Sequence, residues 1–118
     1  MPVRCLKTNR AMVDGTNLTL PVNNYWGGLI ESGKIDWDYR EVKPYWVSRI
    51  CSCASGTTDV RTIAGTIRNF KTATFTNRHN GHKSVYEIRG IEVVDGTFYD
   101  FFQNGVFYFI IGIGRKIR

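Results

Sequence analysis

The side chains best suited to chemistry are concentrated between Gly33 and Trp46. Arg40 carries a planar guanidinium, which can clamp a phosphate or carboxylate through two parallel hydrogen bonds. Asp38, two residues earlier, can orient Arg40 or accept a hydrogen bond from a base. Lys34, Lys43 and Arg49 add positive potential, and Trp37, Tyr45 or Trp46 offers a ring on which a base can stack, worth roughly 1–3 kcal/mol per base. These residues also have a plain structural reading. Lys34, Asp36, Asp38 and Arg40 fall on one side of an alternating segment and would form a solvated ladder of charges. Ile35, Trp37 and Tyr39 fall on the other side and would pack into a core.

A second group of candidates lies further along the chain. Cys51 and Cys53, with His79 and His82, offer four ligands for a zinc ion. Their spacings differ from the two intervening residues between cysteines and three to five between histidines that finger-type sites favour. The two histidines flank an Asn80-Gly81 turn. His79 and His82 could instead serve as an acid–base pair for RNA cleavage, assisted by Arg78 or Lys83. The catalytic candidates are therefore Lys34, Asp38 and His82, and the metal candidates Cys51, Cys53, His79 and His82. No nucleophile elbow, phosphate loop or metalloprotease motif occurs, and no cofactor is implied.

The elements that would position these groups can be read from periodicity. Val3–Lys7 and Leu18–Val22 alternate as short strands around a turn at Asp14–Asn17. The period then changes: Tyr25 or Trp26 with Leu29 and Ile30 predicts a short helix. Asn23 or Asn24 would cap its start, and Gly33 stands where a left-handed C-terminal residue belongs. Lys34–Arg40 has strand periodicity. Lys43–Ile50 reads as a second short helix with Pro44 in its first turn. Beyond Cys51, four segments rich in β-branched and aromatic residues predict strands: Val60–Phe70, Thr72–Thr76, Ser84–Val94 and Val106–Ile113. Phe98–Phe102 suggests a helical turn. The last strand, Phe107–Ile113, is apolar on both faces and should be central or barrel-closing. Two early helices followed by many strands predict an α+β fold, a small barrel or a strongly bent mixed sheet.

The chain has 118 residues, without repeats or linkers, and is expected to form one domain over residues 1–118. Its net charge is +6, unevenly spread. Residues 1–59 hold seven cations and six acids, whereas residues 60–118 hold nine and four. Arg68 belongs to the densest basic stretch, Arg61–Arg89. Such an excess suits a polyanion, because neutralising phosphates supplies most sequence-independent affinity for nucleic acid. Met1–Thr8 lacks the apolar run of a signal peptide. Val106–Ile111 is too short to span a membrane, so no membrane partner is expected. Three cysteines do not make a closed disulfide set and suggest a reducing, cytoplasmic setting.

The segment from Gly33 onward resembles the signature of the ASCH domain, a PUA-like β-barrel family: Gly-x-Lys-x-x-Glu-x-Arg after a short helix. Gly33 and Arg40 match, Asp38 keeps the charge of the glutamate, and Ile35 stands in place of the lysine, with Lys34 one residue earlier. A subgroup common in bacteria and their phages resembles Glu-Tyr-Arg-Glu-x-Lys-Pro-Tyr-Trp, which Asp38–Trp46 follows almost throughout. Phe107–Gly114 is similar to that subgroup's closing strand. The resemblance is strongest over residues 18–50 and 84–117. It implies a small PUA-like barrel with a cleft beside the motif strand; taken with the reading of the residues themselves, the candidate binding residues are Gly33, Lys34, Asp38, Arg40, Lys43, Trp46, Arg49 and Arg68. It further implies binding of RNA or a nucleotide-like ligand, with DNA as a possible substitute. Some members act on modified nucleosides as acetylcytidine amidohydrolases, or on RNA as ribonucleases. In the amidohydrolases the motif lysine is catalytic. Ile35 can neither attack nor shuttle protons, which moves the expectation from enzyme toward binder. A module that targets a host protein is a third expectation.

Overall fold

The computed structural model describes residues 17–118. The strand expected over Val3–Lys7 and the turn residues Asp14–Thr16 lie outside them. The described chain is α+β, with a five-stranded mixed sheet and short helices, as its periodicities predict. In chain order the elements are β1 (Asn17–Val22), α1 (Asn24–Glu31), β2 (Trp37–Glu41), α2 (Pro44–Ile50), α3 (Val60–Gly65), β3 (Thr72–Asn77), β4 (Lys83–Asp95), a 3-10 turn (Gly96–Phe98) and β5 (Phe107–Lys116). The hydrogen-bonded strand order is β1-β3-β4-β5-β2. β1 runs parallel to β3, with Leu18 opposite Ala73 and Leu20 opposite Phe75. β3 and β4 are antiparallel, as are β2 and β5.

By their contacts the described residues divide into two compact units. The first holds β1, α1, β3, β4 as far as Ile88, and the chain from Ile113. Strand alternation buries Leu18, Leu20 and Val22 of β1, Ala73 and Phe75 of β3, and Ser84 and Tyr86 of β4. α1 begins where Asn23 Oδ1 accepts a hydrogen bond from the Trp26 amide at 2.8 Å. It ends in a Schellman turn: the Gly33 amide bonds the Ile30 carbonyl, and the Lys34 amide bonds the Leu29 carbonyl. Gly33 takes φ 78°, the left-handed value this turn requires. α1 buries only Ile30, so its apolar anchor is a single side chain.

The second unit holds Trp37–Arg68 and Arg89–Gly112. α2 has Pro44 in its first turn and buries Trp46, Val47 and Ile50, an i, i+1, i+4 face. A seven-residue helix is marginal alone, so this face stabilises it. Val60–Phe70 corrects the strand expectation. Val60–Gly65 is helical, with the Thr62 hydroxyl bonded to Asp59 Oδ2 at 2.7 Å and Ile63 buried. β-branched content predicted a strand, but an inward residue one turn into the segment and a local Asp–Thr contact favour the helix. Beyond α3, only a single bridge pairs Cys51 with Ile67. The helical turn expected over Phe98–Phe102 lies earlier, at Gly96–Phe98.

Gly96 is the most closely surrounded of the described glycines. A Cβ there would stand 2.5 Å from the Gln103 carbonyl oxygen and 2.8 Å from both Tyr108 Cε2 and the Val106 carbonyl oxygen. Two of these neighbours are backbone atoms that cannot swing aside. Gly96→Ala is therefore expected to lower stability by about 2 kcal/mol or more, read by chemical denaturation. An unchanged midpoint would show that the turn yields freely.

Candidate functional site

The motif strand is shorter than its alternation predicts. β2 starts at Trp37, so Lys34 and Asp36 precede it and are exposed. Ile35 precedes it too, half-buried. Asp38 and Arg40 do share one side of β2, but that side is covered. Asp38 is 2% exposed, which corrects the expectation of a solvated charge ladder. The Arg40 Nε–H donates to Asp38 Oδ2 at 2.9 Å. The guanidinium carbon lies 4.9 Å from the centre of the buried Trp46 ring. The carboxylate can be buried because its counter-charge comes from the same strand and the indole roofs the pair. Trp37 and Tyr39, on the other side, are half-buried against Phe101 and Phe102, with ring centres 5.1–6.2 Å apart.

The remaining motif residues are placed as follows. Lys43 is the exposed residue preceding α2. Arg49 is exposed and lies 3.7 Å above the Tyr45 ring. Arg68 is exposed, and its amide bonds the Ile50 carbonyl. Cys51 is buried, its Sγ 3.4 Å from the Ile63 carbonyl, and burial pushes its thiol up. The Thr66 hydroxyl holds the Cys53 thiol below its ordinary value. Both thiols are free. Among the described residues, no three of His, Cys, Asp and Glu gather as a metal site, so Cys51, Cys53, His79 and His82 do not assemble as zinc ligands.

His82 belongs to a different cluster, one that sequence spacing does not join. The first unit contains a half-open cavity of about 220 Å³ lined by Val22, Asn24, Gly27, Gly28, Ile30, Glu31, Phe75, Asn77, Asn80, His82, Ser84 and Tyr86. Glu31, in the last turn of α1, is its charged centre. Glu31 Oε2 accepts from the Ser84 hydroxyl at 2.6 Å and faces His82 Nε2 at 3.2 Å. The Ser84 hydrogen bond, helped by the charges of Lys116 and His82, holds the Glu31 carboxyl below its ordinary value of 4.5 against some opposing desolvation. Tyr86 is 5% exposed, and its buried hydroxyl has no hydrogen-bond partner. Burial, then the Glu31 charge, pushes its ionisation to higher pH than usual.

The β3–β4 turn supplies the amides. Gly81 takes φ 75° there, and Asn77 Oδ1 accepts from the His79 and Asn80 amides. Asn77 Nδ2 donates to Asn24 Oδ1 at 2.6 Å, tying the turn to the start of α1. The signal for this site was weak but present. Ser84 and Tyr86 place polar atoms on the inward phase of β4, where an ordinary strand carries only hydrocarbon.

With this geometry described, comparison with known proteins adds nothing further: no family model, curated protein or solved structure matches the chain.

Two outcomes are expected. Arg40→Ala should cost about 2–4 kcal/mol in denaturation, because it removes a charged partner from Asp38 in a covered site. The double variant Asp38→Leu, Arg40→Met should recover much of that loss; a double variant no better than Arg40→Ala would refute the ion-pair account. Ser84→Ala should move the Glu31 titration, followed by carboxyl-carbon NMR, up toward 4.5. The folded chain favours ionised Glu31, so its contribution is full above the ordinary value and fades as pH falls through the lowered one. In Ser84→Ala that fading should begin at higher pH.

Proposed function

We propose that this protein binds RNA or a nucleotide-like ligand, and that its first unit presents the binding surface. The reading is carried by the polar cavity with its unpartnered, buried Tyr86 hydroxyl. Buried hydroxyls ordinarily have partners, so an unpartnered one on a residue that lines a cavity marks a place for a ligand atom.

Charge supports the same unit. Its described residues carry seven Lys and Arg against three Asp and Glu, whereas the second unit carries six of each. The positive excess of the described chain therefore belongs to the unit that has the polar cavity. A cationic surface around a hydrogen-bonding cavity suits a ligand that joins phosphate to a polar ring. The resemblance of residues 33–46 to ASCH domains supports the same ligand class. In this reading Arg40 and Asp38 stabilise β2, while Lys34, Lys71, Arg78 and Lys83 supply phosphate contacts. A cytoplasmic setting goes with it, as do two free thiols. No helix of the described residues is long and apolar enough to cross a membrane.

A second reading, turnover of a modified nucleoside or of RNA, is favoured by one observation: His82 beside Glu31 forms an acid–base pair at the cavity. Release of acetate from acetylcytidine, or cleavage of labelled RNA, abolished by His82→Ala, would establish it.

Binding is tested by fluorescence anisotropy with labelled single-stranded RNA and DNA between low and moderate salt. The expected result is binding that weakens steeply with salt. Arg78→Ala and Lys83→Ala should each reduce the log–log salt slope by about 0.7, the single-strand value per phosphate contact. Undetectable binding of both at low salt would remove the proposal, and retention of a protein partner in nuclease-treated pull-downs would replace it.

A further inference from the structure

On the reading that the ligand is nucleotide-like, we propose that the Glu31–Tyr86 cavity is a base-reading pocket that selects bases carrying an exocyclic amino group, cytosine or adenine or guanine, over uracil.

The size of the cavity limits what enters. At about 220 Å³ it is smaller than the sites that enclose drug-sized ligands, and it equals about seven waters at ~30 Å³ each. One heterocyclic ring fits, with the sugar and phosphate left at the open mouth and near the cationic surface. Phe75 and Tyr86, ring centres 5.7 Å apart and edge to face, give that ring an apolar wall.

The free hydrogen-bonding atoms then decide which ring. Glu31 Oε2 is taken by Ser84 and His82, and among the described residues Oε1 has no partner. An ionised carboxylate only accepts, so Oε1 requires a donor on the ligand. Tyr86 offers a hydroxyl that can donate to a ring nitrogen or carbonyl. Asn24 Oδ1 is occupied by Asn77, and Asn80 Oδ1 by the His82 amide, which leaves both Nδ2 groups as donors. The pocket therefore offers one charged acceptor among several donors. Cytosine and adenine match it with an amino group next to a ring nitrogen, and guanine with an amino group and N1–H beside acceptors. Uracil's one base-edge donor, N3–H, lies between two carbonyl oxygens. Bringing that donor to Oε1 turns both carbonyls toward the carboxylate, which repels them. Carboxylates accept from the cytosine amino group in groove readout for the same reason.

The test measures binding of CMP, AMP and UMP to the full chain by chemical-shift titration, with oligo-C and oligo-U RNA as parallel probes. CMP and AMP should bind about tenfold or more tighter than UMP, within the range one good polar base contact supplies. Glu31→Gln gives the pocket a donor in place of an acceptor-only atom and should bring CMP and UMP within about twofold. Tyr86→Phe removes only the hydroxyl and should weaken CMP about fivefold or more while the fold survives. Oligo-C binding with no measurable CMP binding supports the pocket with RNA as the source of the base, and saturation by CMP alone supports a free nucleotide. Equal affinities for cytosine and uracil probes in the native chain overturn the proposal but leave RNA binding standing. Failure of every probe, oligomers included, overturns both.

Discussion

The parallel pairing of β1 with β3 is the constraint on which the rest of the fold depends. Antiparallel neighbours can be joined by two residues, but parallel ones need a crossover. Here the crossover contains α1, β2, α2 and α3, so everything between Val22 and Thr72 is arranged by the need to return to the same sheet. The first consequence is local. α1 follows β1 directly and ends beside the inward residues of β4. Glu31, at the last helical position, thereby meets Ser84 across 53 positions of sequence. The Asn77–Asn24 hydrogen bond fixes the opposite end of the helix to the β3–β4 turn. A six-residue parallel ladder and two polar ties thus produce a cavity with a defined hydrogen-bonding pattern.

The second unit handles its charges differently. Asp38 lies in a position where an apolar residue would ordinarily be buried. Its charge is answered from within β2 by Arg40, and the Trp46 ring covers the guanidinium. Desolvating two charges is costly, and one removed partner costs more than the pair contributes. The arrangement makes the motif strand intolerant of single changes without assigning it a ligand.

Much of the framework was legible because it depends on local chemistry. Asn23 as a cap, Gly33 as a left-handed terminator, Pro44 in a first turn and the alternation of Leu18, Leu20 and Val22 are all decided within a few residues. What escaped has physical reasons. The burial phase of β2 was misread because hydrophobicity marks the inward face only when that face is apolar, and Asp38 with Arg40 inverts the rule. The helix at Val60–Gly65 was hidden by residues with high strand propensity, which the Thr62–Asp59 side-chain hydrogen bond and one buried Ile63 outweigh. The cavity was least legible. Its members come from α1, β3, the β3–β4 turn and β4, and nothing in their spacing joins Glu31 to Ser84 or Tyr86. Only the two polar residues on the inward phase of β4 hinted at it.

The crossover also sets an order of events during synthesis. β1 leaves the ribosome early, yet its partner β3 is translated only after α1, β2, α2 and α3. At 5–20 residues per second, that interval is about 3–10 s. Throughout it, Leu18, Leu20 and Val22 lack the strand beside which they are buried. The nascent chain therefore carries a sticky edge for seconds, a window in which chaperones or neighbouring nascent chains can engage it before the parallel ladder closes.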